Sequence, residues 1–370
     1  MFIELHVIQN FAPSNLNRDD TNSPKDCTFG GYRRARISSQ CFKRAIRMHP
    51  AFTAEVGSSK GHRTKLLVDH IAGKIAVGDR DRETSRTVVS AVLQAAGYKV
   101  DDKLRTSVLL FLSPGELDGY AELISGHFDD LKALVDAESK KKQPGTIKLE
   151  KVFKKAIESL GSRVDAADIA LFGRMIAEAK NLNIDAACQV AHAISTHPVQ
   201  VEMDFYTAVD DLQPKEDTGA GMMGVIEFNS ACFYRYAVVD TEQLVANLQG
   251  DKASAKAAVL GFLKAAVAAI PTGKQNSMAA HNPPSYVQVR VRDGGMLWSL
   301  ANAFAEPVLV NRRHTDLALT SIEKLRAYDA NLTEMYGADG VVLDRAASTY
   351  ADHRDSALAE LWQAVAEALA

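Results

Sequence analysis

The chain has 370 residues, 46% apolar and 24% charged, with 43 lysines and arginines against 46 acids for a net charge of -3. That length allows one elaborated domain or two to three small ones, and that composition excludes a wholly disordered chain. The near-neutral total also excludes nucleic-acid binding by bulk charge and leaves only cations clustered on one face.

Residues 2–8 alternate, with Ile3, Leu5 and Val7 set against Glu4 and His6, which predicts a strand. A polar, turn-rich stretch follows from 13 to 31 and contains the Gly30-Gly31 pair. Residues 33–37 read as a short extended piece, Ser38-Ser39 as a helix start and 40–48 as a helix. Residues 50–195 read mostly as helix, with segments near 64–77, 86–96, 104–112, 119–137, 149–160 and 186–194. A loop at 138–146 carries Lys140-Lys141-Lys142. Residues 199–210 and 225–239 look extended around a polar, glycine-rich stretch at 214–224, a long hairpin with a loose tip. Helices are expected over 241–250 and 254–270, a strand over 286–291, and a helical end with Leu358, Leu361, Trp362, Val365 and Leu369 on one stripe. With 50–195 set aside, the order is βαββαβ. The predicted class is therefore α+β, an RRM-like (ferredoxin-like) plan with a large helical insertion and a long β-hairpin.

Cys27, Cys41, Cys188 and Cys232 are far apart and form no CxxC pair. This argues against a zinc ribbon, a thioredoxin-type site and a secreted disulfide framework. Met1-Phe2-Ile3-Glu4-Leu5-His6 lacks a signal-peptide pattern, and no apolar run approaches the roughly 18 residues of a membrane span, so a cytoplasmic protein with reduced thiols is expected.

The densest chemical signal is residues 33–47, where Arg33, Arg34, Arg36, Lys43, Arg44 and Arg47 occur without an acid. Arg34, Arg36 and Ser38 alternate with Ala35 and Ile37, so one face of the strand is expected to be basic. Gln40, Lys43, Arg44 and Arg47 fall on one helical stripe, and the helix N-terminus adds unpaired amides. Gly30-Gly31 would let a backbone approach closely. Together these are donors matched to a phosphate chain; the bland alternative is a solvated face paired with acids elsewhere. Arg18 and Lys25 offer further phosphate contacts. Asp19, Asp20 and Asp26 are either local turn formers or a Mg²⁺ site for a metal-dependent endoribonuclease.

Met175, after Gly173-Arg174, is either core filling or a flexible apolar wedge beside a phosphate-binding arginine. Aromatics between acids at 204–211 are either half-buried strand or tips that stack on bases. His192 and His197 lack zinc spacing and are assigned structural roles. Gly273-Lys274-Gln275-Asn276 lacks the upstream glycine and the following Ser/Thr of a P-loop, although Lys274 could touch a phosphate. No nucleophile elbow, zincin motif, dinucleotide fingerprint or RNP aromatic signature occurs, so neither a cofactor nor sheet-face base stacking is expected.

The run Pro13-Ser14-Asn15-Leu16-Asn17-Arg18-Asp19-Asp20, then Lys25-Asp26, Gly30-Gly31, Arg33-Arg34-Ala35-Arg36-Ile37-Ser38-Ser39-Gln40 and Lys43-Arg44, closely resembles the CasC family. So do Gly173-Arg174-Met175, Ala191-His192-Ala193-Ile194, Thr207-Ala208-Val209-Asp210-Asp211-Leu212 and Phe233-Tyr234-Arg235-Tyr236-Ala237. CasC is the repeated backbone subunit of the type I-E CRISPR surveillance complex, Cascade. The resemblance implies a right-hand shape: a palm (1–49 and 225–370), helical fingers (50–195) and a thumb hairpin (196–224). It implies a non-catalytic scaffold in antiviral defence, several copies of which stack along one CRISPR RNA and present it to target DNA. The other implied partners are the large, small, guide-processing and guide 5'-end-capping subunits, with no membrane. Implied RNA contacts are Arg18, Lys25, Ser38, Gln40, Lys43, Arg47, Arg174 and Met175, with Tyr206, Thr207 and Val209 in the thumb. Arg34, Arg36 and Lys274 join them from the residue pattern alone. Phe172 and the 219–224 tip depart from the family pattern.

Overall fold

Thirteen residues rich in β-branched and aromatic side chains, Phe2–Ser14, form β1, an inner strand of the large sheet. The computed structural model describes residues 1–141, 143, 145–160, 165–176, 182–211, 222–309 and 316–369. Lys142, Pro144 and the expected thumb tip as far as residue 221 lie outside them. The chain forms two compact units. One comprises Met1–Ala54, Gln189–Asp240 and Val259–Ala370; the other comprises Glu55–Cys188 and Thr241–Ala258. Residues 241–258, assigned to the palm by sequence, thus fall in the helical unit, and the described part of the hairpin belongs to the first unit.

The remaining strands are β2 (Asp26–Phe29), β3 (Tyr32–Ile37), β4 (His62–Thr64), β5 (Leu110–Leu112), β6 (Cys188–Val190) and β7 (Ala193–Ser195). They continue with β8 (Glu202–Ala208), β9 (Met222–Asp240), β10 (Tyr286–Arg292) and β11 (Val341–Ser348). The large sheet runs β11-β10-β1-β9-β7-β3-β2, with β6 and β8 pairing β9 off this path. β1 is antiparallel to both β10 and β9, in register Leu5↔Val289 and Leu5↔Ala237.

The alternation in β1 separates two buried faces rather than a buried face from a wet one. Ile3, Leu5 and Val7 point to one side, where Phe42 and Ile46 of α1 (Ser39–Met48) and Phe262 of helix Lys252–Ala268 close over a void of about 20 Å³. On the other side Ile8, Tyr234, Tyr286, Trp298, Phe304, Ile322 and Leu325 form a core beneath helix Leu317–Tyr336. Glu4 and His6 are 0% exposed on that side. Glu4 accepts from Arg292 Nε at 2.7 Å and from the Trp298 amide at 3.1 Å. The Tyr234 hydroxyl lies 2.9 Å from His6 Nδ1, and burial pushes the imidazole down to about 3. Both faces of β1 are therefore covered by packed side chains.

In the helical unit, helices Leu67–Ile75, Arg82–Ala95, Pro114–Gly126, Phe128–Ser139 and Lys151–Leu160 surround a core that includes Leu67, Val89, Leu93, Tyr120 and Ile124. Three expectations change. The helix read over 119–137 is two helices broken at His127, and 104–112 ends in β5, which pairs with β4. The helix read over 186–194 is strand, because Ile194 pairs with both Arg36 of β3 and Tyr234 of β9. Short apolar runs of this kind carry no period that separates helix from strand, and pairing partners decide.

Candidate nucleic-acid interface

The basic segment folds as a hairpin followed by a helix. β2 and β3 pair around Gly30 (φ +59°) and Gly31 (φ +82°), a left-handed pair that glycine adopts without strain. A Cβ on Gly30 would overlap the carbonyl oxygen of Ala305. The backbone that approaches Gly30 is therefore the chain's own, not a ligand's. Ser38 ends β3 as the N-cap of α1: its hydroxyl accepts from the Cys41 amide at 3.3 Å, and its own amide donates to Asn17 Oδ1 at 2.8 Å.

An open groove of about 810 Å³ runs beside this hairpin, lined by Asp19, Lys25, Asp26, Arg33, Arg36, Gln200, Met203 and Glu227 among others. Its formal charges balance, but they are not equally available. Arg33 is ion-paired with Asp26. Asp19 turns into its own loop, where Oδ1 accepts from the Thr21 and Ser23 amides, each at 2.9 Å, and bonding to Thr21 holds its carboxyl below the usual range. Arg36 donates through Nε to the Asp26 carbonyl at 3.0 Å, and its backbone amide ties it to Lys25 O at 2.9 Å. Among the described residues Arg18, Lys25, Arg36 and Arg44 make no ion pair with a carboxylate. Arg18 is exposed, 3.3 Å from Asn22 Oδ1; Lys25, Arg36 and Lys43 are half-buried; Gln40 and Arg44 are exposed on α1, whose first turn holds no acid.

Four of the residues expected to contact RNA are buried. Arg34 is 0% exposed and donates to the carbonyls of Ser195 at 3.0 Å and Phe304 at 2.6 Å, with burial lowering its pKa. Arg47 is buried at 6% exposure. Ser38 is buried and spent on capping. Arg174, in the helical unit, has a side chain 1% exposed, paired with Glu116 at 2.7 Å and bonded to the Leu182 and Phe111 carbonyls. Burial raises the Glu116 carboxyl despite that pairing. The burial of Arg34 and Ser38 is not visible in the strand pattern, because alternation cannot tell a solvent face from a second buried one. Met175, next to Arg174, is 87% exposed.

In the first unit β8 and the outer end of β9 form a two-stranded ribbon that pairs Phe205 with Val225 and Thr207 with Met223. Met203, Phe205, Met222, Met223 and Val225 are all more than half exposed; Val209, just past β8, is 77% exposed and Tyr206 37%. A Cβ on Gly224 would lie 2.5 Å from the Tyr206 ring, so that ring rests over bare backbone. Lys274, half-buried, stands at φ +53° ahead of the short helix Gln275–Met278. Gly273 before it abuts the Asn15–Leu16 carbonyls, as a packing glycine rather than a phosphate loop.

His192, assigned a structural role from the sequence, stands beside the start of α1. Its Nδ1 takes the Ser39 amide at 3.3 Å and faces Arg36 Nη1 at 3.4 Å. Burial, then Arg36 and Lys25, lowers its pKa, so a neutral ring stands at the start of α1. No spacing pattern links residue 192 to residue 39. His197 is structural as expected, with its Nε2 taking the Cys232 amide at 3.1 Å. No group of acids, histidines and cysteines suited to a metal occurs among the described residues, and no described helix is long and apolar enough to cross a membrane.

A chain of a CRISPR RNA-guided surveillance complex in its pre-nicking form matches with 32% identity and a TM-score of 0.87, covering 100% of both chains. A chain of another CRISPR RNA-guided surveillance complex matches with 27% identity and a TM-score of 0.75, again over 100% of both. A search of curated proteins finds no match. The family model described as CT1975-like protein spans residues 3–367, nearly the whole of both units, and the chain belongs to that family.

Proposed function

We propose that this chain is a CasC-type backbone subunit of a type I-E Cascade complex, a non-catalytic scaffold that holds CRISPR RNA by its phosphates. In this reading several copies stack along one guide, leave its base edges to pair with target DNA, and meet the other Cascade subunits through their remaining faces. The sheet order β10-β1-β9-β7, with every neighbour antiparallel, supports an RRM-like palm. The observation that carries the reading is the groove beside β2 and β3. There Lys25 and Arg36 have no carboxylate partner among the described residues, and Lys43 and Arg44 continue the cationic line along α1. The exposed β8–β9 ribbon supplies Phe205, Tyr206 and Met203 as surfaces against which bases can unstack.

The test is to purify the protein from its host and sequence the RNA that accompanies it. Short, uniform, repeat-flanked RNAs are expected; a random or absent RNA population overturns the assignment. Asp19 and Asp26 line the same groove, so the endoribonuclease reading has an address. It predicts Mg²⁺-dependent cleavage of target RNA that Asp26→Ala abolishes. The scaffold reading predicts no such products.

A further inference from the structure

A charge-bearing side chain that is wholly buried without a carboxylate is costly, and such a group is retained where it holds something in place. Arg34 is such a group: 0% exposed, with no acid partner among the described residues. From β3 its guanidinium reaches two other elements. Nη1 reaches the β7 carbonyl of Ser195, while Nη2 reaches the carbonyls of Phe304 at 2.6 Å and Ala305 at 3.4 Å, at the end of the 3-10 helix Leu300–Phe304. Carbonyls at a helix end have no intrahelical donor, so they accept the cation readily. The Phe29 and Tyr32 rings flank the guanidinium at 5.8 and 6.0 Å. At the tip of the same hairpin, Gly30 lies so close to Ala305 that no side chain fits.

We infer that Arg34 is a positioning residue which, with Gly30, pegs the β2–β3 hairpin to the 300–305 turn and so sets Lys25 and Arg36 at the groove. The inference rests on reading that groove as the guide interface. Lys25 and Arg36 are joined across the hairpin by the Arg36 amide to Lys25 carbonyl bond, so both move when the hairpin shifts. Lysine cannot replace the peg, because a point charge on a flexible stem does not reproduce a planar fork aimed at several carbonyls.

The test measures full-length protein binding to an unstructured single-stranded RNA as a function of salt. Each phosphate contact contributes about 0.7 to the slope of log affinity against log salt. Lys25→Ala with Arg36→Ala should flatten the slope by about 1.4, and Arg34→Met alone should flatten it equally. Adding Arg34→Met to that double variant should flatten it no further, and Arg34→Lys should not restore it. Gly30→Ala, which disturbs the same seat without touching the arginine, should reproduce the loss if Arg34→Met proves unstable. Flattening by about 0.7 that Arg34→Lys restores would make Arg34 a direct contact and overturn the inference. An unchanged slope with only a lowered melting temperature would also overturn it. If the Lys25/Arg36 double variant leaves the slope unchanged, the groove reading itself fails, a result distinct from failure at Arg34 alone.

Discussion

Replacing Arg174 by methionine strands the carboxylate of Glu116 in the helical unit. The pair is closed to solvent, with side chains 1% and 0% exposed and a separation of 2.7 Å. Glu116 also serves as the third residue of a capping box, taking the Ser113 amide at 2.7 Å at the start of helix Pro114–Gly126. Breaking a buried pair from one side costs about 3–5 kcal/mol, because the remaining charge keeps its desolvation penalty and loses its partner. Glu116 already titrates above its usual range from burial, and losing the arginine raises it further. A carboxyl raised in the folded state destabilises progressively as pH rises through that folded value. The variant should therefore lose least at about pH 4 and most at about pH 8. Urea unfolding followed by far-ultraviolet circular dichroism at both pH values, with hydrogen exchange across residues 114–126, measures this. The double variant Arg174→Met with Glu116→Gln should recover much of the loss. A loss below about 1 kcal/mol at neutral pH, or a double variant no better than the single, would refute the reasoning.

Other outcomes follow from the same geometry. Arg44→Ala, exposed on α1, should flatten the salt slope of RNA binding by about 0.7, whereas Arg47→Ala should lower the melting temperature and leave the slope alone. Met175→Ala should change stability by less than about 0.5 kcal/mol, since the side chain is 87% exposed, while altering the nuclease footprint on bound RNA. His6 is buried neutral with its pKa lowered to about 3, so acidification charges the unfolded state first. Its share of stability should fall by about 1.4 kcal/mol per pH unit from its usual range towards about 3, and His6→Gln should remove that slope in acid denaturation.

The amino-acid pattern by itself determined the elements whose character is local. Alternation gave β1 and β10, Ser38 marked the start of α1, and the apolar-polar stripe of α1 placed Phe42 and Ile46 inward. It also located the cationic segment, because a run of arginines and lysines without acids is visible in one dimension. Only the tertiary structure decided which of those cations meet solvent. Alternation in β3 is the same whether its second face lies against water or against the 300–305 turn, so Arg34 and Arg36 look alike in sequence yet differ in access. Asp26 beside Arg33, Glu116 beneath Arg174 and Ser39 beside His192 are partnerships across the chain, set by which elements pack together. A charge acts on a ligand only when the surrounding fold leaves it solvated and unpaired, and that condition belongs to packing rather than to sequence order.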